Sequence, residues 1–146
     1  DSVDVPSTWR SYFRLIERLA ASGPFDAVGH LDLPKKFGYR PSDRELAEMA
    51  APALDRIAEA GMGIEVNASG LRKPVGEAYP SLLLLSLARE RKIPVCFGSD
   101  AHRPEEVGAG LNEALDLALQ AGYTHAFRIR AGEKVLVPLP GPGGSP

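Results

Sequence analysis

An α/β fold is predicted for this chain, built from about four strand–helix units. Short apolar runs alternate along its 146 residues with longer segments in which apolar residues recur at helical spacing. Glycine and proline separate these segments and mark the turns between them. The 44% apolar and 25% charged content is typical of a globular protein. About four such units suit either an open parallel sheet or half of a β/α barrel.

The first two helices are predicted from apolar stripes bounded by capping residues. The first stripe covers residues 9–20, and Gly23-Pro24 ends that helix. The second helix opens at Pro41-Ser42-Asp43, where a serine is typical of an N-cap, and Gly61 ends it. A basic loop over 31–40 lies between these two helices.

The two later helices are predicted in the same way. Pro80 suits the first position of the third helix, whose leucines at 82–85 make it apolar almost all round. The fourth helix carries Val107 and the apolar residues after it on one face, and Gly122 ends it. We therefore expect the third helix to be deeply packed.

Strands are predicted where a short apolar run lies between turn residues. They are residues 25–30, 63–67, 94–98, 124–129 and 134–137. Residues 1–140 are interpreted as one folded unit, and the Gly/Pro/Ser-rich tail over 141–146 is predicted to be disordered.

Composition restricts the classes of partner. A net charge of −2 gives no general attraction to nucleic acid or to an anionic membrane. No apolar run approaches 20 residues, and no secretory signal is present. The single cysteine, Cys96, lies in an apolar strand and is predicted to be a buried structural thiol, which fits the reducing cytoplasm.

Polar side chains follow three of the predicted strands. His30 ends the first strand, Glu65 and Asn67 end the second, and Asp100 and His102 follow the third. Taken singly, each is consistent with an ordinary polar surface or a hydrogen-bonded core position. Because the carboxyl ends of parallel strands meet at one edge of a sheet, we expect these side chains to converge there. Imidazole nitrogen and carboxylate oxygen together suit Zn²⁺, Mn²⁺ or Fe²⁺, so the pattern predicts a metal-assisted site.

Basic residues lie in the loops after the first two strands, on the same predicted edge. They are Lys35, Lys36, Arg40, Arg72 and Lys73. Arginine binds phosphate through two parallel N–H groups, and lysine supplies a point charge. Beside candidate metal ligands, these cations indicate a phosphate ester as the small-molecule substrate, although each one singly is also consistent with a solvated surface.

Three linked motifs resemble the later motifs of the polymerase-and-histidinol-phosphatase (PHP) family. They are Gly29-His30-Leu31-Asp32, the run from Glu65 to Lys73, and Gly98-Ser99-Asp100-Ala101-His102. Within the family they most resemble the histidinol phosphate phosphatases. The resemblance implies a distorted (β/α)7 barrel, of which this chain would supply the C-terminal part with about four βα units.

The resemblance also implies roles for individual residues. Up to three divalent metals (Zn, Fe or Mn) would be held at the strand ends, with one ligand each from His30, Asp100 and His102. Asp100 is also a candidate catalytic residue, since either it or a water on a metal protonates the leaving group. The implied phosphate contact is Arg72, with Lys35 and Arg40 as weaker candidates. Glu65 and Asn67 would line the site without ligating metal.

The family's opening H-x-H motif has no counterpart in this chain. We therefore expect the chain to be the C-terminal portion of a protein about twice its length, with the N-terminal half of the barrel as its structural partner. The implied activity of that whole protein is hydrolysis of L-histidinol phosphate to L-histidinol and phosphate in histidine biosynthesis. Two alternatives stay open, a PHP domain acting on nucleotides or nucleic acid 3′ ends, and a degenerate module without catalysis.

Overall fold

A computed structural model describes residues 4–141 of the chain. Four helices and five strands are joined by loops that contain three short 3₁₀ turns, at Leu33–Phe37, Ala68–Arg72 and Pro104–Glu106. In chain order the main elements are α1 (Val5–Ser22), β1 (Ala27–Val28), α2 (Asp43–Glu59), β2 (Gly63–Asn67), α3 (Leu82–Glu90), β3 (Val95–Gly98), α4 (Leu111–Gln120), β4 (His125–Arg130) and β5 (Glu133–Pro138).

The first three strands form one parallel sheet in the order β1-β2-β3. Ile64 of β2 pairs with Val95 of β3, and Asn67 pairs with Gly98, so both strands end at the same level. Helices α2 and α3 make the crossovers that parallel neighbours require. The predicted α/β class is confirmed, and the carboxyl ends of the three strands share one edge.

The core lies between this sheet and the apolar faces of the helices. Ile64, Val66 and Val95 are fully buried on the strands. Trp9 and Phe13 of α1 join them in one continuous cluster. At about 25 cal/mol per Å² of buried apolar surface, residues of this size each stabilise the fold by about 2 kcal/mol. This packing fixes the positions of the strand ends.

Helix α2 begins where the sequence predicts. The Ser42 hydroxyl accepts a hydrogen bond from the Glu45 backbone N–H, and the Glu45 carboxylate accepts one from the Ser42 N–H, which forms a capping box. The Ser42 hydroxyl and backbone also lower the pKa of Glu45, because both stabilise its ionised form.

Helices α3 and α4 begin later than predicted. The chain stays extended through Tyr79, because its backbone N–H and C=O pair with Asn67 at 2.9 and 2.7 Å, and α3 therefore begins at Leu82 and not at Pro80. Val107 lies outside α4 and its side chain is 74% exposed. Gly108 and Gly110 adopt φ values of 80° and 77°, a left-handed backbone that no helix continues through.

The prediction of a fourth parallel unit is wrong. Strands β4 and β5 form a separate antiparallel hairpin, in which Arg130 pairs with Glu133. The two residues between them, Ala131 and Gly132, have φ values of 50° and 82°, as in the tight turns that match strand twist. The parallel sheet therefore has three strands within the described residues, and a seven-stranded barrel stays a prediction.

Two further sequence predictions concern Cys96 and the chain end. Cys96 is partly buried, and burial followed by the charge of Glu65 raises its pKa to about 11, so the thiol is unreactive near neutral pH. Residues 142–146 of the predicted disordered tail lie outside the described residues. Among the described helices, none combines the length and the apolar character needed to cross a bilayer.

Candidate active site

His30 and Asp100 meet at the edge of the sheet. The His30 Nε2 lies 3.2 Å from Asp100 Oδ2. Since a carboxylate only accepts, Nε2 carries the proton in this contact. Both residues have a φ of 50°, a left-handed backbone that costs an L-residue about 1 kcal/mol. Strained conformations of this kind cluster at functional sites.

Tyrosines hold His30 from two sides. The Tyr12 hydroxyl, reaching from α1, donates a hydrogen bond to the His30 backbone oxygen. Burial followed by the charge of Asp32 raises the pKa of Tyr12 to about 12, so this hydroxyl keeps its proton. The Tyr79 ring packs on the imidazole with centroids 5.3 Å apart. The histidine is therefore positioned before any ligand arrives.

His102 is the most exposed of the three predicted ligands, with 74% of its side chain accessible. Its Nδ1 lies 2.9 Å from the Asp100 backbone oxygen. Because a carbonyl only accepts, Nδ1 carries the proton in this contact, and no hydrogen bond to Nε2 is found within residues 4–141. Nε2 is therefore the atom that His102 would offer to a metal.

Asp100 lies between the two imidazoles. Burial acts to raise the pKa of its carboxyl, and the nearby Ser69 hydroxyl acts to lower it, although Ser69 Oγ approaches without full hydrogen-bond geometry. The imidazoles of His30 and His102 add to that lowering, followed by the charge of Lys73. The pKa of Asp100 lies below its usual value, so the group is a carboxylate at neutral pH.

Arg72 is engaged with the loop that carries Asp100 and His102. Its guanidinium donates to the backbone oxygens of Ser99 at 2.8 Å and Ala109 at 3.3 Å, and it lies within 3.4 Å of that of Asp100. Its Nε–H has no partner within residues 4–141. Arg72 thus positions this loop, and these contacts do not use all five of its N–H groups.

Glu106 completes this support and was not predicted. Its carboxylate accepts the His102 backbone N–H at 2.8 Å and lies 3.7 Å from the Arg72 guanidinium. The His102 hydrogen bond is the main cause that lowers the pKa of Glu106, with Arg72 contributing. The Pro104-Glu105-Glu106 turn could have indicated this, because a carboxylate in the first turn often caps a preceding N–H.

Glu65 and Asn67 share one face of β2, as predicted from their spacing. The Asn67 amide donates to Glu65 Oε2 at 3.0 Å, and the Asn67 oxygen accepts the Ser69 N–H at 2.9 Å. Gly29 and Gly98 flank the Glu65 carboxylate: a Cβ at Gly98 would lie 2.0 Å from Oε1, and one at Gly29 3.1 Å from Oε2. That Glu65 and Asn67 line the site stays a prediction.

Lys35 is not on the surface. Its side chain is only 1% exposed, and its ammonium lies 3.0 Å from the equally buried Asp32 carboxylate. It also donates to the Ala78 backbone oxygen. The other Asp32 contact is the Ser81 N–H at 2.9 Å, so Asp32 ties two loops together and makes no contact with His30. This arrangement does not favour the predicted phosphate contact by Lys35.

Arg40 is similarly engaged. Its guanidinium pairs with the Glu77 carboxylate at 2.9 Å. Burial acts to raise the pKa of Glu77, but the Arg40 hydrogen bond and the charges of Lys35 and Arg40 outweigh it, and the pKa lies below its usual value. Of the predicted rim cations, Lys73 is exposed and has no ion-pair partner in the described part of the chain. Lys73 is therefore accessible to an approaching anion, as is the exposed Lys36.

The donor set suits a divalent metal but is incomplete. His30, Asp100 and His102 supply imidazole nitrogen and carboxylate oxygen, the ligands that Zn²⁺, Mn²⁺ and Fe²⁺ share. Between residues 4 and 141, no three His, Cys, Asp or Glu side chains converge closely enough to hold an ion by themselves. These residues therefore fit part of a metal centre, with the remaining ligands to come from elsewhere.

The parallel sheet thus carries histidine and aspartate beyond its strand ends. A family model described as PHP-associated matches residues 83–120. The resemblance to the PHP family, and within it to the histidinol-phosphatases, is confirmed by curated relatives. The chain is 46% identical to a probable histidinol-phosphatase of Deinococcus radiodurans, over 87% of this chain and 48% of that protein.

Two further comparisons agree. The chain is 34% identical to the histidinol-phosphatase of Bacillus subtilis, over 71% of this chain and 42% of that protein. A crystal structure from Listeria monocytogenes, assigned provisionally as the histidinol phosphatase hisK, superposes with a TM-score of 0.64 at 29% identity. It covers 72% of this chain and 43% of that one. The chain thus spans about half the length of the relatives it matches.

Proposed function

We propose that this chain forms part of a metal-dependent phosphatase that hydrolyses L-histidinol phosphate to L-histidinol and phosphate. The observation that carries the proposal is the His30–Asp100 pair, with the free Nε2 of His102 beside it, at the carboxyl ends of a parallel sheet. The names of the similar proteins supply the substrate. A cytoplasmic location and a role in histidine biosynthesis belong to the same proposal.

The metal centre would be held by His30, Asp100 and His102, together with ligands from a second part of the barrel. Divalent metals, when bound, supply Lewis-acid polarisation of the phosphate and activation of water. Asp100 suits the role of ligand, because its lowered pKa keeps it ionised. The same lowering disfavours Asp100 as the group that protonates the leaving alkoxide.

Two cations of this chain would bind the phosphate group. Arg72 offers its Nε–H, while Nη2 holds the Ser99–Asp100 backbone and Nη1 donates to the Ala109 oxygen. Lys73 follows it directly, and its charge acts on the Asp100 carboxyl. A cation close to the reacting phosphate stabilises the charge that develops there as the ester bond breaks. Arg72 is the stronger candidate, since its position is fixed.

The partner that completes the site would be the N-terminal half of the barrel. Within the described residues, β1 and β3 are both edge strands, each hydrogen-bonded only to β2. Unpaired edges of a parallel sheet are normally covered by further strands. The half-length match to the relatives agrees with this arrangement.

Phosphate release by the metal-loaded, full-length protein tests the proposal. L-histidinol phosphate is compared with a nucleoside monophosphate and a single-stranded oligonucleotide at equal concentration. Selective release from L-histidinol phosphate is the expected result. Activity confined to the nucleotides would assign the site to nucleic acid metabolism, and no activity with metals bound would identify a degenerate module.

A further inference from the structure

Glu65 differs from the other carboxylates around the candidate site. Each of the others lies close to a cationic or imidazole side chain within residues 4–141. The pairs are Asp32–Lys35, Glu77–Arg40, Glu106–Arg72 and Asp100–His30. Glu65 has no such partner in the described part of the chain, and its one side-chain contact is the neutral Asn67 amide.

The space around this carboxylate is kept open by two glycines. The residues before His30 and before Ser99 are Gly29, which directly follows β1, and Gly98, which ends β3. A Cβ at Gly98 would overlap Glu65 Oε1 at 2.0 Å. Only a position without a side chain lets Oε1 lie at this level of the sheet, directly beneath the strand ends. The Asn67 amide holds the other oxygen, so the orientation of the group is fixed.

The negative charge of Glu65 is therefore uncompensated in a half-buried position. Its effect extends to the neighbouring strand, where it adds to burial in raising the pKa of Cys96. A charge in such a position normally has a partner, because a half-buried ion without one loses hydration and gains nothing in return. The missing partner is a cation.

We propose that Glu65 binds the ammonium group of an amine-bearing phosphate ester and so sets the specificity of the site. This inference rests on the proposed function. The phosphate end of such a substrate would lie toward Arg72 and Lys73, and its cationic end toward Glu65. The charge pattern of the site, cations in the loop after β2 and an anion on the strand itself, matches a substrate with both charges. A carboxylate bound on one side by Asn67 presents its other oxygen to N–H donors.

The test is the Glu65→Gln variant of the full-length protein, which keeps the shape and the Asn67 hydrogen bond and removes the charge. Two substrates are compared, L-histidinol phosphate and 4-nitrophenyl phosphate, which has no cationic group. A charge-assisted hydrogen bond is worth about 10- to 100-fold, so kcat/KM for L-histidinol phosphate is expected to fall by about that factor. The kcat/KM for 4-nitrophenyl phosphate should not change, and neither should the affinity for metal.

The matched control is Glu90→Gln, an exposed carboxylate at the end of α3, remote from the strand ends. Equal losses on both esters would overturn the inference, because Glu65 would then act through structure. A weakened metal affinity would overturn it as well, because Glu65 would then be a ligand. No change on either ester would also refute it. Absence of phosphate release by the native protein from both esters refutes the proposed function itself, which separates the two failures.

Discussion

Removing one partner of the buried Asp32–Lys35 pair is expected to destabilise the fold strongly, and Lys35→Met tests this. Both side chains are 1% exposed, with Nζ 3.0 Å from Oδ2. Methionine fills a similar volume but leaves the Asp32 carboxylate with the Ser81 N–H as its remaining hydrogen bond. Its other oxygen, Oδ1, already has no partner within the described residues. The variant therefore creates an uncompensated buried charge.

Breaking a buried ion pair in this way costs about 3–5 kcal/mol. Native domains are stable by about 5–15 kcal/mol in total, so the loss is a large fraction. At a urea dependence of about 2 kcal/mol per M, the unfolding midpoint should fall by about 1.5–2.5 M. Adding Asp32→Asn to Lys35→Met removes the stranded charge and should recover most of the loss.

Urea unfolding followed by circular dichroism measures the effect, with Lys36→Met as the matched control. Lys36 is an exposed neighbour, and its replacement should change the free energy of unfolding by no more than about 0.5 kcal/mol. A loss below about 1 kcal/mol for Lys35→Met would refute the reasoning. So would an unchanged midpoint with a raised KM, because Lys35 would then bind substrate as the sequence pattern predicts.

Three further predictions follow from the site. Glu106→Ala should weaken metal binding by about 10-fold or more, measured by competition with a chelator, because it frees the His102 turn; an affinity equal to that of Glu105→Ala would contradict this. Gly98→Ala should displace the Glu65 carboxylate and lower kcat/KM for L-histidinol phosphate, whereas Gly141→Ala, with nothing within 4 Å, should not. The pKa of Glu77 is lowered in the folded state, so its stabilisation is present at neutral pH and is lost as the pH falls through that value. In the Arg40→Gln variant, the free energy of unfolding should therefore fall less steeply as the pH is lowered. An unchanged pH dependence would show that the Arg40–Glu77 pair does not cause this fall.

The sequence predicted correctly those elements whose bounds are set by residues close together in the chain. The bounds of β2 at Gly63–Asn67 follow from a short apolar run between turn residues, and the start of α2 follows from the capping serine Ser42. The sequence also predicted that the carboxyl ends of the strands share one edge, because this holds for any set of parallel neighbouring strands. The start of α3 did not, because pairing between Asn67 and Tyr79 keeps the chain extended.

In the candidate site, too, some residues could be identified from the sequence and others could not. His30, Asp100 and Glu65 were identified because their motifs place them at strand ends. Glu106 and Lys35 also have partners in other loops, Arg72 for Glu106 and the Ala78 oxygen for Lys35, and no spacing in the sequence reveals these contacts. The sequence Lys35-Lys36 looks like an ordinary solvated pair, yet one member is buried because Asp32 and the Ala78 oxygen lie opposite it.

The left-handed backbone at His30 and Asp100 has a consequence for how this site tolerates change. Each φ of 50° costs an L-residue about 1 kcal/mol, whereas glycine adopts it freely. Replacing either residue by glycine should relieve that cost while removing a side chain that is proposed to hold metal. The site therefore lowers the stability of the chain that carries it, and selection for stability alone would erase it.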